Sequence, residues 1–79
     1  MADIEKYNEV FIAVFKVEAE QLTTEFTADK VAAWDSITHL SLVTGIEDAF
    51  DVMLDPPDIL GFRSYEEGKA ILARYNVSL

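Results

Sequence analysis

The chain has 79 residues, of which 15 are acidic, six are basic and none is cysteine, so its formal net charge at pH 7 is −9. A chain this short is expected to form one domain over residues 1–79, and without cysteine its core has neither a disulfide nor a thiolate zinc site to stabilise it. The apolar fraction of 51% is typical of a folded domain, and the acidic excess argues against nucleic acid and anionic membranes as partners and favours basic protein surfaces.

The first predicted element is an amphipathic helix that runs from Asp3 to about Lys16. Polar residues fill the positions between its apolar residues, which recur at three- and four-residue intervals. These apolar residues are Ile4, Tyr7, Phe11, Val14 and Phe15. We expect the phenylalanines to lie in the core, together with two from later in the chain, Phe26 and Phe50.

The segment from Val17 to Trp34 shows no sustained hydrophobic period and is rich in residues that favour turns and helix caps. We therefore predict a long structured loop. A loop of this length in a compact domain needs side chains that fasten it to the core. Leu22, Phe26 and Val31 are spaced along the loop as isolated apolar anchors.

A second helix is predicted to begin at Asp35 and Ser36, either of which can cap the first turn, and to end at about Asp51. One face should enter the core, and it carries Leu42, Ile46, Ala49, Phe50 and Met53. A second apolar row exceeds what a helix with one buried face needs, and it consists of Ile37, Leu40 and Val43. Gly45 lies inside this helix at a cost of about 1 kcal/mol relative to alanine, which indicates a close helix crossing.

The last part of the chain carries two more helix signals. Pro56 and Pro57 suit the first turn of a short helix that stops at Gly61. Ser64 and Glu67 form a capping-box pattern at the start of the last helix. The buried stripe of this helix would be Ile71, Leu72 and Tyr75. The predicted fold is all-α, a small bundle of three main helices plus one short helix, with a long loop between helices one and two.

Two catalytic or metal-binding interpretations are weak. Ser36 and His39 share a helical face, but they lack an orienting acid on a separate element and an oxyanion hole, so we expect no catalytic residue. We expect His39 to be exposed or at an interface. The regularly spaced acids lack the glycine and final glutamate of a calcium loop, so we expect no metal site beyond loose divalent screening. These acids are Asp48, Asp51, Asp55 and Asp58.

The stretch from Trp34 to Val43, WDSITHLSLV, is followed by IEDAFDV at positions 46–52. Together they resemble the attachment motif and second helix of the acyl carrier protein family, and the likeness covers nearly the whole chain. The resemblance implies an acyl-carrier-like bundle in which Ser36, flanked by Asp35 and Ile37, bears a 4′-phosphopantetheine arm. A phosphopantetheinyl transferase attaches this arm from coenzyme A, and its thiol carries an acyl group as a thioester. The alternative is that Ser36 only caps the helix.

The resemblance also implies partner enzymes that dock along the second helix with basic patches. These would be the transferase, an enzyme that loads an acyl or aminoacyl group, and downstream synthase or transferase enzymes. Apolar docking contacts would come from Ile37, Leu40 and Val43, and docking charge from Asp35, Glu47, Asp48 and Asp51. The alternatives are that the acids form a solvated face and that the apolar row belongs to the core.

Departures from the family pattern bear on subtype. Ile37 replaces the usual leucine, Ser41 stands where primary fatty-acid carriers have a glutamate, and Trp34 stands where they have a small residue. The change at Ile37 is mild because it preserves an apolar contact, and the other two differences favour a stand-alone carrier of a specialised pathway, for polyketide or fatty-acid-like biosynthesis. An aminoacyl or peptidyl carrier, including the D-alanyl type, is the alternative within the class. An unmodified acidic helical interaction module is the alternative outside it.

The sequence carries no run of about 18 consecutive apolar residues and no basic start followed by an apolar stretch. We therefore expect no membrane insertion and no signal peptide. A cytoplasmic monomer is the expected state of the chain.

Overall fold

A computed structural model describes residues 3–77 and 79, and this part of the chain is built from α-helices. The helices are α1 (Asp3–Phe15), α2 (Ser36–Phe50), α3 (Pro56–Gly61) and α4 (Tyr65–Ala73), with one turn of 3₁₀-helix at Ala19–Gln21. Within the described residues there is no strand, only an isolated antiparallel bridge between Thr27 and Ser64. The prediction of an all-α bundle with a long first loop is confirmed. No helix in residues 3–77 is both long enough and apolar enough to cross a membrane.

The helix ends follow from local capping chemistry. Asp35 caps α2, because its Oδ1 accepts a hydrogen bond from the Thr38 backbone N–H at 2.8 Å. At the other end of α2, Asp51 adopts a left-handed conformation with φ of 54° and stops the helix. Ser64 caps α4 through a 2.9 Å bond from the Glu67 N–H to its hydroxyl, so the serine half of the predicted capping box forms.

Aromatic side chains fill the core, and Phe11 of α1 lies at its centre. Its ring centroid lies 5.0–6.2 Å from six other rings, contributed by the helices and by the long loop. These rings belong to Tyr7, Phe15, Phe26, Trp34, Phe62 and Tyr65. Leu22 and Phe26 are buried and Val31 is half-buried, so the loop is anchored as predicted. Phe50 is half-buried and packs against this core.

Two glycines allow the helices to approach each other closely. A Cβ at Gly45 would lie 2.8 Å from Val10 Cγ1 of α1, which confirms the predicted close crossing of α1 and α2. A Cβ at Gly68 would lie 2.1 Å from the Tyr7 hydroxyl oxygen and 2.3 Å from Phe62 Cζ. Because position 68 carries no side chain, Tyr7 of α1 and Phe62, which follows α3, can pack directly against α4.

Two assignments of the buried face of α2 were wrong. Val43 is only 4% exposed and belongs to the core, because at about 100° per residue it lies only about 20° from Phe50, at the edge of the buried face. Met53 is 83% exposed, since α2 ends before it and the left-handed turn at Asp51 breaks the helical period. Tyr75 also lies beyond its helix and is half-buried rather than part of an α4 stripe.

Candidate functional site

Ser36 is the first residue of α2, and its side chain is exposed. Asp35, not Ser36, makes the side-chain cap of the helix. No residue that the structure describes forms a hydrogen bond with the Ser36 hydroxyl. The interpretation of Ser36 as the helix cap is therefore wrong, and its hydroxyl is available for chemistry.

Asp35 makes the surroundings of this hydroxyl negatively charged. The hydrogen bond from the Thr38 backbone N–H holds the pKa of the Asp35 carboxyl below its ordinary value, so the cap is ionised at neutral pH. The same helix start presents backbone N–H groups whose partial positive charge favours an anion.

Ser36 opens onto a surface groove of about 510 Å³ between the start of α2 and helix α3. The walls combine apolar side chains with one acid and one base. The residues that line the groove are Trp34, Asp35, Ser36, His39, Leu40, Ile59, Leu60 and Arg63. An elongated ligand attached at Ser36 would have both polar and apolar surface to lie against.

His39 connects the two sides of the groove. Its Nδ1 accepts a hydrogen bond from Trp34 Nε1–H at 3.0 Å, and its Nε2–H donates to the Ile59 carbonyl oxygen at 2.7 Å. This pair of bonds requires the neutral ring with the proton on Nε2. The expectation that His39 is exposed is wrong, because the residue is half-buried and bonded within the fold; that it lies at an interface stays a prediction. With both ring nitrogens engaged, His39 is not placed to activate Ser36.

The carboxylate of Asp58 joins helix α3 to the residues that follow α4. It accepts hydrogen bonds of 2.5 Å from the Tyr75 hydroxyl and from the Arg74 guanidinium, and the Tyr75 oxygen accepts from the Asp55 N–H at 3.0 Å. The Tyr75 hydroxyl, and next the Arg74 guanidinium, lower the pKa of Asp58 below its ordinary value. Together with His39, these bonds fix the α3 wall of the groove.

A second surface feature follows the solvent side of α2. We call it the α2 exposed face, and it consists of Ile37, Leu40, Ser41, Thr44 and Asp48, which border a shallow depression together with Gly45. Ile37 and Leu40 are 78% and 60% exposed, so large apolar side chains lie in solvent beside an acid.

The predicted docking residues are not all on this face. Asp35 and Asp51 are exposed at the two ends of α2, whereas Val43 is buried. Glu47 is half-buried, and its Oε2 accepts a hydrogen bond from the Leu54 N–H at 2.9 Å. The Glu47 carboxylate therefore stabilises the loop that follows α2, in addition to the docking charge predicted for it.

Sequence reasoning did not single out the groove residues that come from α3 and its connection, namely Ile59, Leu60 and Arg63. No hydrophobic period places α3 beside the start of α2, and the bond from His39 to Ile59 is a tertiary contact. Within the described residues no three His, Cys, Asp or Glu side chains come together as a metal site.

No protein-family model matches the chain. It is similar to curated proteins named acyl carrier protein from Streptococcus pyogenes, among them those of serotype M1, of serotype M3 strain ATCC BAA-595 / MGAS315 and of serotype M18 strain MGAS8232. In each case the identity is 36% over 55 residues, which is 70% of this chain and 73% of the relative.

Proposed function

The chain belongs to the acyl carrier protein family and has a carrier role, and from this premise we propose that Ser36 bears a 4′-phosphopantetheine arm that carries acyl groups as thioesters. The observation that supports this most is the exposed Ser36 hydroxyl, which is released from capping by Asp35 and opens onto a groove. In this proposal the chain is not a catalyst. It presents its cargo to partner enzymes.

The attachment step uses the Ser36 oxygen as nucleophile. Ser36 Oγ forms a bond to the phosphorus that carries the pantetheine half of coenzyme A, and the bond from this phosphorus to the bridging pyrophosphate oxygen breaks. Adenosine 3′,5′-bisphosphate leaves, and the hydroxyl proton passes to a base of the transferase or to water. The arm supplies a thiol, which the chain itself lacks because it contains no cysteine.

The residues around Ser36 fit such a group. The start of α2 favours the negative charge of the phosphodiester, since its N–H groups point outward at the helix end. Beyond the attachment point, Leu40, Ile59 and Leu60 offer apolar surface along the groove. An anionic linkage would thus meet the helix start, and the carbon atoms of the chain that follows it would meet apolar surface.

We assign partner docking to the α2 exposed face. Ile37 and Leu40 would bury apolar area against a partner, and Asp48 would pair with a basic side chain at the rim. Asp35 and Asp51 extend this surface towards the two ends of α2, and Glu47 adds charge from its half-buried position. The proposed partners are the phosphopantetheinyl transferase, a loading enzyme and downstream synthase or transferase enzymes.

The proposed cargo is an acyl group of a specialised pathway, polyketide or fatty-acid-like. Ser41 is exposed on the α2 exposed face, so the absence of the glutamate of primary fatty-acid carriers changes a surface that partners would meet. Trp34 is buried and bonded to His39, so its presence reflects the packing of the groove rather than a particular cargo.

The test is the intact mass of the protein after incubation with coenzyme A and a promiscuous phosphopantetheinyl transferase. Ser36→Ala is compared with Ser41→Ala, which removes another exposed hydroxyl from the same helix. The wild type and Ser41→Ala should each gain the mass of one phosphopantetheine, and Ser36→Ala should gain none while keeping its helical circular dichroism spectrum. Absence of any gain in folded wild-type protein would support the unmodified interaction module instead.

A further inference from the structure

Arg63 is the basic residue of the groove that begins at Ser36. It lies on the connection between α3 and α4, and it lines the same groove as Ser36 and Asp35. Among the described residues that line this groove, no lysine or second arginine accompanies it. A guanidinium therefore occurs beside the attachment point of a chain whose net charge is −9.

The backbone of Arg63 is held firmly while its side chain is exposed. The Arg63 N–H donates to the Gly61 carbonyl at 2.9 Å, and its own carbonyl accepts from the Ala28 N–H at 2.8 Å. The residues on either side, Phe62 and Ser64, are both buried. The side chain thus projects from a fixed point on the groove wall.

Within residues 3–77 and 79, Arg63 forms no ion pair with a carboxylate. The ion pairs in this part of the chain join Lys30 to Glu25, Lys69 to Glu66 and Arg74 to Asp58. Fifteen acids are present in the sequence, so an arginine that pairs with none of the described ones is informative. Its donors are free to meet an anion that comes from outside the chain.

Modification of Ser36 would bring such an anion into the groove. The new phosphodiester would carry one negative charge and would lie next to the Asp35 carboxylate, which is kept ionised by the Thr38 N–H. The two like charges repel each other. A guanidinium offsets this repulsion effectively, because its planar donors match the geometry of phosphate oxygens.

We propose that Arg63 binds the phosphodiester that joins the arm to Ser36. The two residues line the same groove, the Arg63 backbone is held in place, and its guanidinium pairs with no described carboxylate. The inference rests on the proposed function, because it requires that Ser36 be modified. It assigns a specific role to a residue outside the attachment motif. Arg63 is a positioning residue for the arm, not a catalytic one.

The test uses holo protein purified free of coenzyme A, with loading verified by intact mass. The variants are Arg63→Gln, Arg63→Lys and the control Lys30→Gln, which removes an exposed base that does not line the groove. In the wild type, the ¹⁵N–¹H resonance of Arg63 Nε–H should move between the apo and holo forms. The ³¹P resonance of the holo protein should shift in Arg63→Gln, shift less in Arg63→Lys and stay unchanged in Lys30→Gln. These differences should shrink as salt is added.

Three outcomes would overturn the inference. In one, the Arg63 Nε–H resonance does not move on loading and the ³¹P resonance of loaded protein does not change in Arg63→Gln, which would make Arg63 an ordinary surface residue. An equal Arg63 shift when apo protein is mixed with free coenzyme A, without transferase, would mean that the guanidinium meets any phosphate. The absence of a mass gain in wild-type protein would contradict the proposed function itself, and the inference with it, whereas the first two outcomes leave the proposed function intact.

Discussion

Gly68→Ala tests the packing of α4 most sharply, because two effects predict opposite signs. Helix propensity alone predicts that alanine in the interior of α4 stabilises the protein by about 1 kcal/mol. The structure predicts a collision, since the added Cβ would lie 2.1 Å from the Tyr7 hydroxyl oxygen and 2.3 Å from Phe62 Cζ. Both of these side chains are fully buried and have no free space to move into.

The cost follows from the groups that must shift. Overpacking a well-packed core costs about 1–3 kcal/mol. Displacing Tyr7 also breaks its buried 2.6 Å hydrogen bond to the Tyr65 carbonyl, and leaving these groups unsatisfied costs about 1–3 kcal/mol. After the gain in propensity, the net loss is about 1–5 kcal/mol, which lowers the melting temperature of so small a domain by roughly 4–40 °C.

The assay is thermal and urea unfolding followed by far-ultraviolet circular dichroism. Gly61→Ala is the matched control, because its added Cβ would meet nothing within 4 Å apart from its chain neighbours and the backbone of its own helix. This control should match the wild type or exceed it by at most about 1 kcal/mol. A Gly68→Ala protein as stable as the wild type would refute the described packing of α4 against Tyr7 and Phe62.

Three further predictions concern the groove and α2. His39→Ala should lower the free energy of unfolding by about 1–3 kcal/mol, because the Trp34 N–H loses its acceptor and the Ile59 carbonyl loses its donor, and unchanged stability would contradict the connection between α2 and α3. The lowered pKa of Asp58 means that its contribution to stability is present above the ordinary carboxyl pKa and is lost as the pH falls through the folded value. The melting temperature should therefore decrease on acidification below about pH 4, less steeply in Asp58→Asn, and identical pH profiles would argue against this role. Asp48→Lys should slow modification by the transferase in a salt-sensitive manner without loss of stability, whereas Glu47→Ala, which removes the acceptor of the Leu54 N–H, should destabilise the fold. An unaltered modification rate in Asp48→Lys would count against docking on the α2 exposed face.

The parts of the fold governed by local chemistry could be predicted from the sequence. The start of α2 follows from a capping side chain at Asp35, and the position of Ser36 follows directly from it. The proline pair of α3 and the serine cap of α4 are equally local signals. The anchoring of the long loop by Phe26 was predictable because a large aromatic side chain in a polar segment has little reason to remain in water.

The groove could not be predicted, because it depends on tertiary contacts without a sequence period. The bond from His39 to Ile59 joins residues 20 apart, and the backbone bond from Ala28 to Arg63 connects the long loop to the end of α3. The hydrophobic pattern of α2 also could not predict the exact rotation of this helix about its own axis. Val43 lies at the edge of the face that α2 turns to the core, and only the packing around α2 decides whether a position at that edge is buried.

The central claim, that the chain acquires its reactive thiol at Ser36, is tested most directly by titrating thiols before and after incubation with coenzyme A and a phosphopantetheinyl transferase. The chain has no cysteine, so the starting value is zero and any thiol on the purified protein is introduced by modification. The account predicts that the wild type rises to one thiol per chain and that Ser36→Ala stays at zero. A folded wild-type protein that stays at zero, or a Ser36→Ala protein that also gains a thiol, would contradict it.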